Sequence, residues 1–195
     1  MKRYSIKEHS MTSILKPVLA MVLLLSSCYA LTGCSSDKKP AETQQGTESV
    51  DPSDELKHQI ETKALKKFPS TDQDRHDIEL LNDYEQRFNS MSTDLENELK
   101  QLEASGTLNE EMNNQRKRDL IQSSLNMLKE LDLKTEQGRY IQGLFYQYWE
   151  NQANVYEELH QSANNELKNP TDAIAGMGDY YTAQAQLQYW QNQPK

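Results

Sequence analysis

TEQGRYIQGLFYQYWENQANVYEELHQ, residues 135–161, is the stretch that decides the fold. Its apolar side chains recur at alternating spacings of four and three residues, which places them along one face of an α-helix. The members of this stripe are Ile141, Phe145, Tyr148, Val155 and Leu159, with Gln152 at the single polar position. This spacing is typical of helices that pack as in a coiled coil. We predict a long helix from about Thr135 to Asn169-Pro170.

Two segments that precede this stretch also show helical spacing. In residues 51–68 four apolar residues share one face, so we predict a short helix that ends at Pro69. Residues 70–105 carry apolar residues every seven positions, a partial coiled-coil heptad. The first set is Leu56, Ile60, Ala64 and Phe68, and the second is Leu81, Phe88, Leu95 and Leu102, with Tyr84 and Met91 between them.

The junction at Gly106 predicts a tight helical hairpin. Glycine often ends a helix because it adopts the left-handed conformation without strain. Thr107-x-x-Glu110 resembles a capping box that would begin a third helix. So short a connection makes the two helices antiparallel neighbours. Residues 109–119 contain Met112 as their only apolar residue, so we expect the hairpin tip to be wetter and more mobile than its base.

The remaining pattern completes an all-α fold. A last helix is predicted from about Thr171 to Trp190, and no segment alternates polar and apolar residues as a half-buried strand would. We therefore predict an antiparallel bundle of four long helices plus a short N-terminal helix. This bundle domain is predicted to occupy residues 51–192.

The N-terminal region resembles the signal of bacterial lipoproteins. An apolar stretch over residues 18–25 follows Lys2, Arg3, Lys7 and Lys16, which is the charge pattern of a secretory signal. Leu31-Thr32-Gly33-Cys34 comes next and resembles a lipobox. The resemblance implies that residues 1–33 are a cleaved signal peptide, whether translation starts at Met1 or Met11. It also implies that the Cys34 sulfur carries diacylglycerol.

Such a modification would attach the protein to a membrane in the cell envelope. Two or more acyl chains anchor a protein stably, whereas one holds it only marginally. Residues 34–50 offer little to bury, so we predict the lipidated cysteine and a disordered tether with a reach of roughly 20–25 Å. Ser35 and Ser36 match the pattern exported to the outer membrane, facing the periplasm, if the cell is Gram-negative. An uncleaved membrane anchor is the alternative, although Ser26 and Ser27 interrupt its apolar stretch.

Composition excludes some classes of partner. The chain has 21 basic and 30 acidic residues, and residues 1–33 contain four of the basic and one of the acidic residues. The predicted mature chain therefore keeps 17 basic and 29 acidic residues, a formal net charge of −12. This surface repels nucleic acid and anionic lipid headgroups, so we expect no nucleic-acid partner. Cys28 is lost with the signal and Cys34 is lipidated, so the mature fold must be stable without a disulfide.

Aromatic residues are concentrated in the last third of the chain and suggest a binding surface. Tyr146 lies about 160° from Tyr148 around the helix, so we expect it to face solvent or a partner. Tyr189 and Trp190 lie at a helix end that only docking would order. We predict these three as contacts for an unidentified envelope protein, with surrounding glutamines supplying hydrogen bonds. Core packing of the aromatics is the alternative, and a ligand- or cell-wall-binding bundle that also uses Gln152 is another.

Metal and catalytic chemistry receive little support. Glu157-x-x-His160 and Glu55-x-x-His58 each match half of a di-iron bundle signature, but their helical positions point away from the apolar stripe. No nucleophile motif, phosphate-binding glycine loop or free thiol is present. We predict no metal, no cofactor and no enzymatic activity, and a metal-dependent bundle enzyme is the least favoured alternative. Arg116-Lys117-Arg118 is interpreted as a solvated face.

The C-terminal lysine permits one further interpretation. A lipidated, helical, heptad-bearing chain that ends in Lys195 resembles the murein lipoprotein, whose C-terminal lysine is joined to peptidoglycan. The resemblance implies a possible peptidoglycan link at Lys195, although this chain is longer, forms several helices and has Pro194 before the lysine. The favoured hypothesis remains an envelope lipoprotein with an adaptor or structural role.

Overall fold

The computed structural model describes residues 52–162, 167 and 170–193. Within these residues the chain forms five α-helices and one 3-10 helix, without any strand. The helices are α1 (Pro52–Ile60), α2 (Asp74–Ala104), α3 (Glu110–Lys129), α4 (Glu136–Gln161), the 3-10 helix η1 (Pro170–Ile174) and α5 (Met177–Gln191). The predicted all-α bundle is confirmed, while the predictions for the signal peptide, Cys34 and the tether lie outside the described residues.

Successive long helices run in opposite directions. Near the tip of the α2–α3 hairpin, Arg116 of α3 pairs with Glu98 of α2 at 2.9 Å. At the other end the Gln142 amide of α4 donates to the Leu128 carbonyl oxygen of α3 at 2.6 Å. In α5, Tyr180 contacts Phe145 of α4. The helices α2 to α5 therefore alternate up and down, as the short connections predict.

The core follows the predicted stripe of α4. Ile141, Phe145, Tyr148 and Val155 are all buried, and Leu81, Tyr84 and Phe88 of α2 pack with them. The heptad of α2 is less buried beyond Phe88, where Leu95 and Leu102 are partly exposed. In α3 the buried apolar residues begin only at Leu120, so the hairpin tip is wetter than its base, as expected.

The first residues of α4 and α3 test where these helices were predicted to begin. At α4 the Thr135 side chain accepts a hydrogen bond from the Gly138 amide at 2.8 Å, so the predicted start is confirmed. At α3 the predicted Thr107 capping box is wrong. Asn109 is the N-cap, and its side-chain oxygen accepts from the Met112 amide at 2.8 Å. Asparagine is among the strongest N-caps, and Thr107 instead hydrogen-bonds back into the end of α2.

The short N-terminal helix ends well before Pro69. α1 stops at Ile60, and residues 61–69, which we call the strap, are not helical. The Lys63 amide donates to Thr182 Oγ1 and the Lys66 amide to Gln186 Oε1, both at 2.9 Å. In a helix these amides would bond to carbonyl groups four residues earlier, so their pairing with α5 replaces the predicted helix.

The predicted extents of the last two helices are also wrong. α4 ends at Gln161 rather than near residue 170, with Ser162 in an extended conformation. The final helix begins at Met177, because Gly176 adopts a left-handed conformation (φ 76°) that separates it from the 3-10 helix. Most residues other than glycine are strained in this conformation, so the glycine sets the start of α5.

Candidate functional site

The three predicted partner contacts have different environments. Tyr146 and Tyr189 are partly exposed, so each offers some of its ring and hydroxyl to solvent. The Lys129 ammonium lies 5.6 Å from the centroid of the Tyr146 ring, a cation–π arrangement on the side of the bundle formed by α3 and α4. These two tyrosines remain available as contacts.

Trp190 differs, because it belongs to the core. Its side chain is only 3% exposed, and α5 continues in helical form through Gln191. Burial raises the pKa of the neighbouring Asp74, but hydrogen bonds from Thr71 and Ser70, with a smaller contribution from the Trp190 indole, hold it below its ordinary value. The expectation that Trp190 lies on a frayed end is therefore wrong, while its contact with a partner stays a prediction.

Most of the other aromatic residues form one buried cluster. Phe88 and Trp149 are 4.9 Å apart, and Tyr148 and Tyr180 are 5.0 Å apart between ring centroids. The Trp149 indole donates to the Tyr84 hydroxyl at 2.6 Å. Burial raises the pKa of Tyr84 well above its ordinary value, so the phenol stays neutral. Core packing explains this cluster, as the alternative interpretation held.

The glutamines expected to serve a partner mainly bond within the protein. Gln152 is buried and donates to the Ala175 carbonyl oxygen at 3.1 Å, so it fixes α4 against the turn before α5. Gln186 both accepts from the Lys66 amide and donates to the Lys66 carbonyl oxygen. Gln147 and Gln188 are exposed. A ligand site built on Gln152 therefore receives no support from its surroundings.

The acidic–histidine pairs do not form a cluster. Glu157, His160 and His58 are exposed, in agreement with their predicted helical positions. Among the described residues no group of three histidine, cysteine, aspartate or glutamate side chains could hold a metal ion. These positions are therefore surface positions in the described part of the chain.

The basic run on α3 corrects one expectation. Arg116 is partly exposed and pairs with Glu98, as a solvated face would. Lys117, however, is only 2% exposed. The run is therefore not solvated throughout, because its middle lysine is buried while Arg116 stays partly exposed.

Asp77 forms a buried polar junction between α2 and α4. Its side chain is fully buried and accepts hydrogen bonds from the Lys134 amide at 3.0 Å, and from the Thr135 amide and hydroxyl at 2.7 Å. The His76 ring nitrogen lies 3.0 Å away. Burial alone would raise the pKa of Asp77, but these hydrogen bonds outweigh it and hold the pKa below its usual range. All of its partners are internal, so Asp77 is structural.

A groove between the strap and the start of α4 was not predicted. It has a volume of about 580 Å³ and is lined by Lys66, Lys67, Phe68, Pro69, Glu136, Arg139 and Tyr140. We call it the basic groove, because three of the lining residues are cationic and one is acidic. The adjacent Lys66, Lys67 and Phe68 could have indicated a cationic site in the sequence. Predicting residues 51–68 as one helix drew attention away from it.

The walls of the basic groove are ordered by aromatic and backbone contacts. Phe68 and Tyr140 lie 5.6 Å apart between ring centroids, and the Lys66 ammonium lies 4.1 Å from the Tyr140 centroid. Arg139 donates to the Lys134 carbonyl oxygen at 3.0 Å. Lys67 is exposed and has no ion pair with any described carboxylate. The groove can therefore accept an anionic group.

Comparisons with protein-family models, curated proteins and solved structures found no match to this chain. Within the described residues, no helix has both the length and the apolar character needed to cross a membrane.

Proposed function

We propose that this protein is a non-enzymatic lipoprotein of the cell envelope, attached to a membrane by lipid on Cys34. The observation that carries this proposal is Leu31-Thr32-Gly33-Cys34 directly after an apolar stretch with a basic N-terminal flank. In a Gram-negative cell we place it at the outer membrane, facing the periplasm. The bundle that follows the tether is the part that meets a partner.

The proposed role of the bundle is to bind an envelope protein as an adaptor or structural component. Tyr146 and Tyr189 support this role, because tyrosines that are partly exposed on well-packed helices give contact area at low entropic cost. The acidic mature chain favours a partner with a basic surface.

The test begins with the protein purified from envelopes in its processed form. We expect mass spectrometry to find an N-terminal peptide that starts at Cys34 and carries diacylglycerol, with or without an amide-linked acyl chain. A mature chain that retains residues 1–33, or has an unmodified Cys34, would show the anchor proposal to be wrong.

The same envelopes, crosslinked before extraction, test the partner surface. We expect Tyr146→Ala to reduce recovery of the crosslinked partner about ten-fold or more, the size typical of an aromatic contact at the centre of an interface. Gln101→Ala is the matched control, since it changes an exposed glutamine on α2 near the tip of the α2–α3 hairpin, away from Tyr146. Equal recovery from both variants and the unmodified protein would exclude the Tyr146 surface.

A further inference from the structure

The large apolar side chains that the described residues leave exposed are close together in the sequence. They are Leu56 (46% exposed), Ile60 (42%) and Leu65 (45%), on α1 and the strap. Elsewhere in the described part of the chain, large apolar residues are buried or partly buried. Among the described residues, the large apolar side chains that are classed as exposed therefore all lie in the segment that follows the predicted tether.

The strap reverses the charge of the protein. Residues 61–69 contain three lysines and one glutamate, a formal net charge of +2, whereas α1 contains Asp54, Glu55 and Lys57 and the predicted mature chain carries −12. Lys57 pairs with Asp54 and Lys63 with Asp179. Lys66 and Lys67 make no ion pair with a described carboxylate, so their charge is available in the basic groove.

Cations and exposed leucine and isoleucine on one short segment of the chain match the chemistry of a membrane interface. Phosphate groups bind ammonium and guanidinium groups, while leucine and isoleucine favour the boundary with the acyl chains. The basic groove, at about 580 Å³, is large enough for a phosphate-bearing headgroup beside Lys66 and Lys67. Glu136 reduces the positive charge at one wall but leaves a cationic excess.

We propose that α1, the strap and the basic groove form a surface that lies against anionic phospholipid, with headgroup phosphates in the groove. This inference rests on the proposed lipid anchor at Cys34, which precedes α1 by a predicted tether with a reach of roughly 20–25 Å. Such tethering keeps the lipid at a high effective concentration near this surface. A low intrinsic affinity for lipid is therefore enough to hold the bundle against the membrane. The acidic remainder of the bundle is repelled by the same lipid, which favours this one orientation.

A fluorescent label at position 65 tests the proposal in the full-length, processed lipoprotein. Leu65→Cys supplies a thiol for an environment-sensitive fluorophore, because a lipidated Cys34 has none. The protein is placed in vesicles of phosphatidylcholine, with or without phosphatidylglycerol. We expect a blue-shifted emission and quenching by brominated lipid in the vesicles that contain phosphatidylglycerol, and much weaker effects in phosphatidylcholine alone.

Two comparisons control the labelling experiment. Gly143→Cys, exposed on α4 with open space around it, is expected to keep the emission of a label in water. Lys66→Glu combined with Lys67→Glu is expected to lower the lipid-inserted population at position 65 roughly ten-fold or more. An equal signal at both labelled positions, or no effect of the charge reversal, would overturn the proposal.

The remaining outcomes distinguish this inference from the proposed function. If the N-terminal mass confirms the lipid on Cys34 but the label at position 65 stays in water, the anchor stands and the membrane surface is wrong. If Cys34 is unmodified and the label still inserts, the surface stands without the anchor. A shift produced by a soluble glutamate-rich peptide, but not by phosphatidylglycerol, would assign the groove to an acidic protein instead.

Discussion

Asp77 shows how a single charged side chain can define the junction of two helices. Its carboxylate is removed from water, yet the amides of Lys134 and Thr135 and the Thr135 hydroxyl all donate to it. Thr135 is also the N-cap of α4, so the carboxylate lies at the positive end of that helix. The negative charge is therefore stabilised where α2, the α3–α4 connection and α4 meet.

We expect Asp77→Asn to destabilise the fold by about 2–3 kcal/mol at neutral pH, because charge-assisted hydrogen bonds are lost and buried amides lose an acceptor. The folded pKa of Asp77 lies below the unfolded value of 3.8, so its contribution is present above that value. It declines as the pH falls from there through the lower folded pKa. Urea unfolding across this acidic range should therefore show the difference between the two proteins narrowing.

Asp83→Asn is the control, since Asp83 lies on the surface of α2 and pairs with Arg87 at 3.6 Å. We expect a change within about 0.5 kcal/mol. A similar loss in both variants, or a difference for Asp77 that does not depend on acidic pH, would contradict this account.

The burial and contacts of individual side chains were the part of the site that the sequence predicted least well. Helical periodicity placed Tyr146 off the stripe, and it is partly exposed. The same reasoning could not show that Trp190 near the end of α5 and Lys117 on α3 are both buried. Those outcomes depend on contacts between helices, which a pattern within one helix does not contain.

At the scale of elements, the strap and α5 act as a pair. Thr182 and Gln186 of α5 bind the backbone of the strap, and the Gly176 amide donates a hydrogen bond to Gln59 Oε1 of α1 at 3.2 Å. Gly178 allows this close approach, because a Cβ there would collide with the Glu61 carbonyl oxygen. The strap is thus held by polar contacts rather than by a large apolar face.

Gly178→Ala tests the close packing between these elements. We expect a loss of about 1–3 kcal/mol, because the new methyl group forces the backbone at Glu61 away from α5. The amides of Lys63 and Lys66 should also exchange hydrogen faster, since their acceptors lie on α5. Urea unfolding and hydrogen exchange measure the two effects.

Gly143→Ala provides the matched control within α4. No atom would lie within 4 Å of its Cβ, so we expect a gain of up to about 1 kcal/mol from helix propensity. If both glycine substitutions behave alike, close approach at Gly178 is not what holds the strap.

The sequence predicted the bundle well where a helix has its own apolar spacing. It predicted the fold less well where a segment is held by residues far away in the sequence. The apolar spacing was sufficient to predict α2 and α4 and the start of α4 near Thr135. The strap has no such pattern, because its backbone partners lie 119 and 120 residues later. The basic groove was missed for the same reason, since it exists only when the strap meets α4.

At the scale of the whole molecule, packing is uneven along the bundle. Beyond Phe88, α2 buries only Ser92 and Leu99, and α3 buries only Lys117 before Leu120. The opposite half contains the aromatic cluster. Local opening should therefore cost much less free energy at the α2–α3 tip than in the centre of α4.

Hydrogen exchange under native conditions checks this difference. We expect amides in residues 99–113 to exchange through local opening, and those in residues 141–149 mainly through global unfolding. Low concentrations of urea should accelerate the second group and leave the first almost unchanged. Uniform protection along α2 and α3 would show that the tip is as stable as the base.

The pairing of the strap with α5 also constrains the order in which the protein can be completed. Ribosomes make the chain from its N-terminus, so the amides of Lys63 and Lys66 appear 119 and 120 residues before their acceptors on Thr182 and Gln186. Until they appear, the amides of Lys63 and Lys66 can bond only to water or to temporary partners. A nascent chain that has not yet reached α5 thus lacks the acceptors that position the strap, and the strap can take its final place only once this fifteen-residue helix has been made.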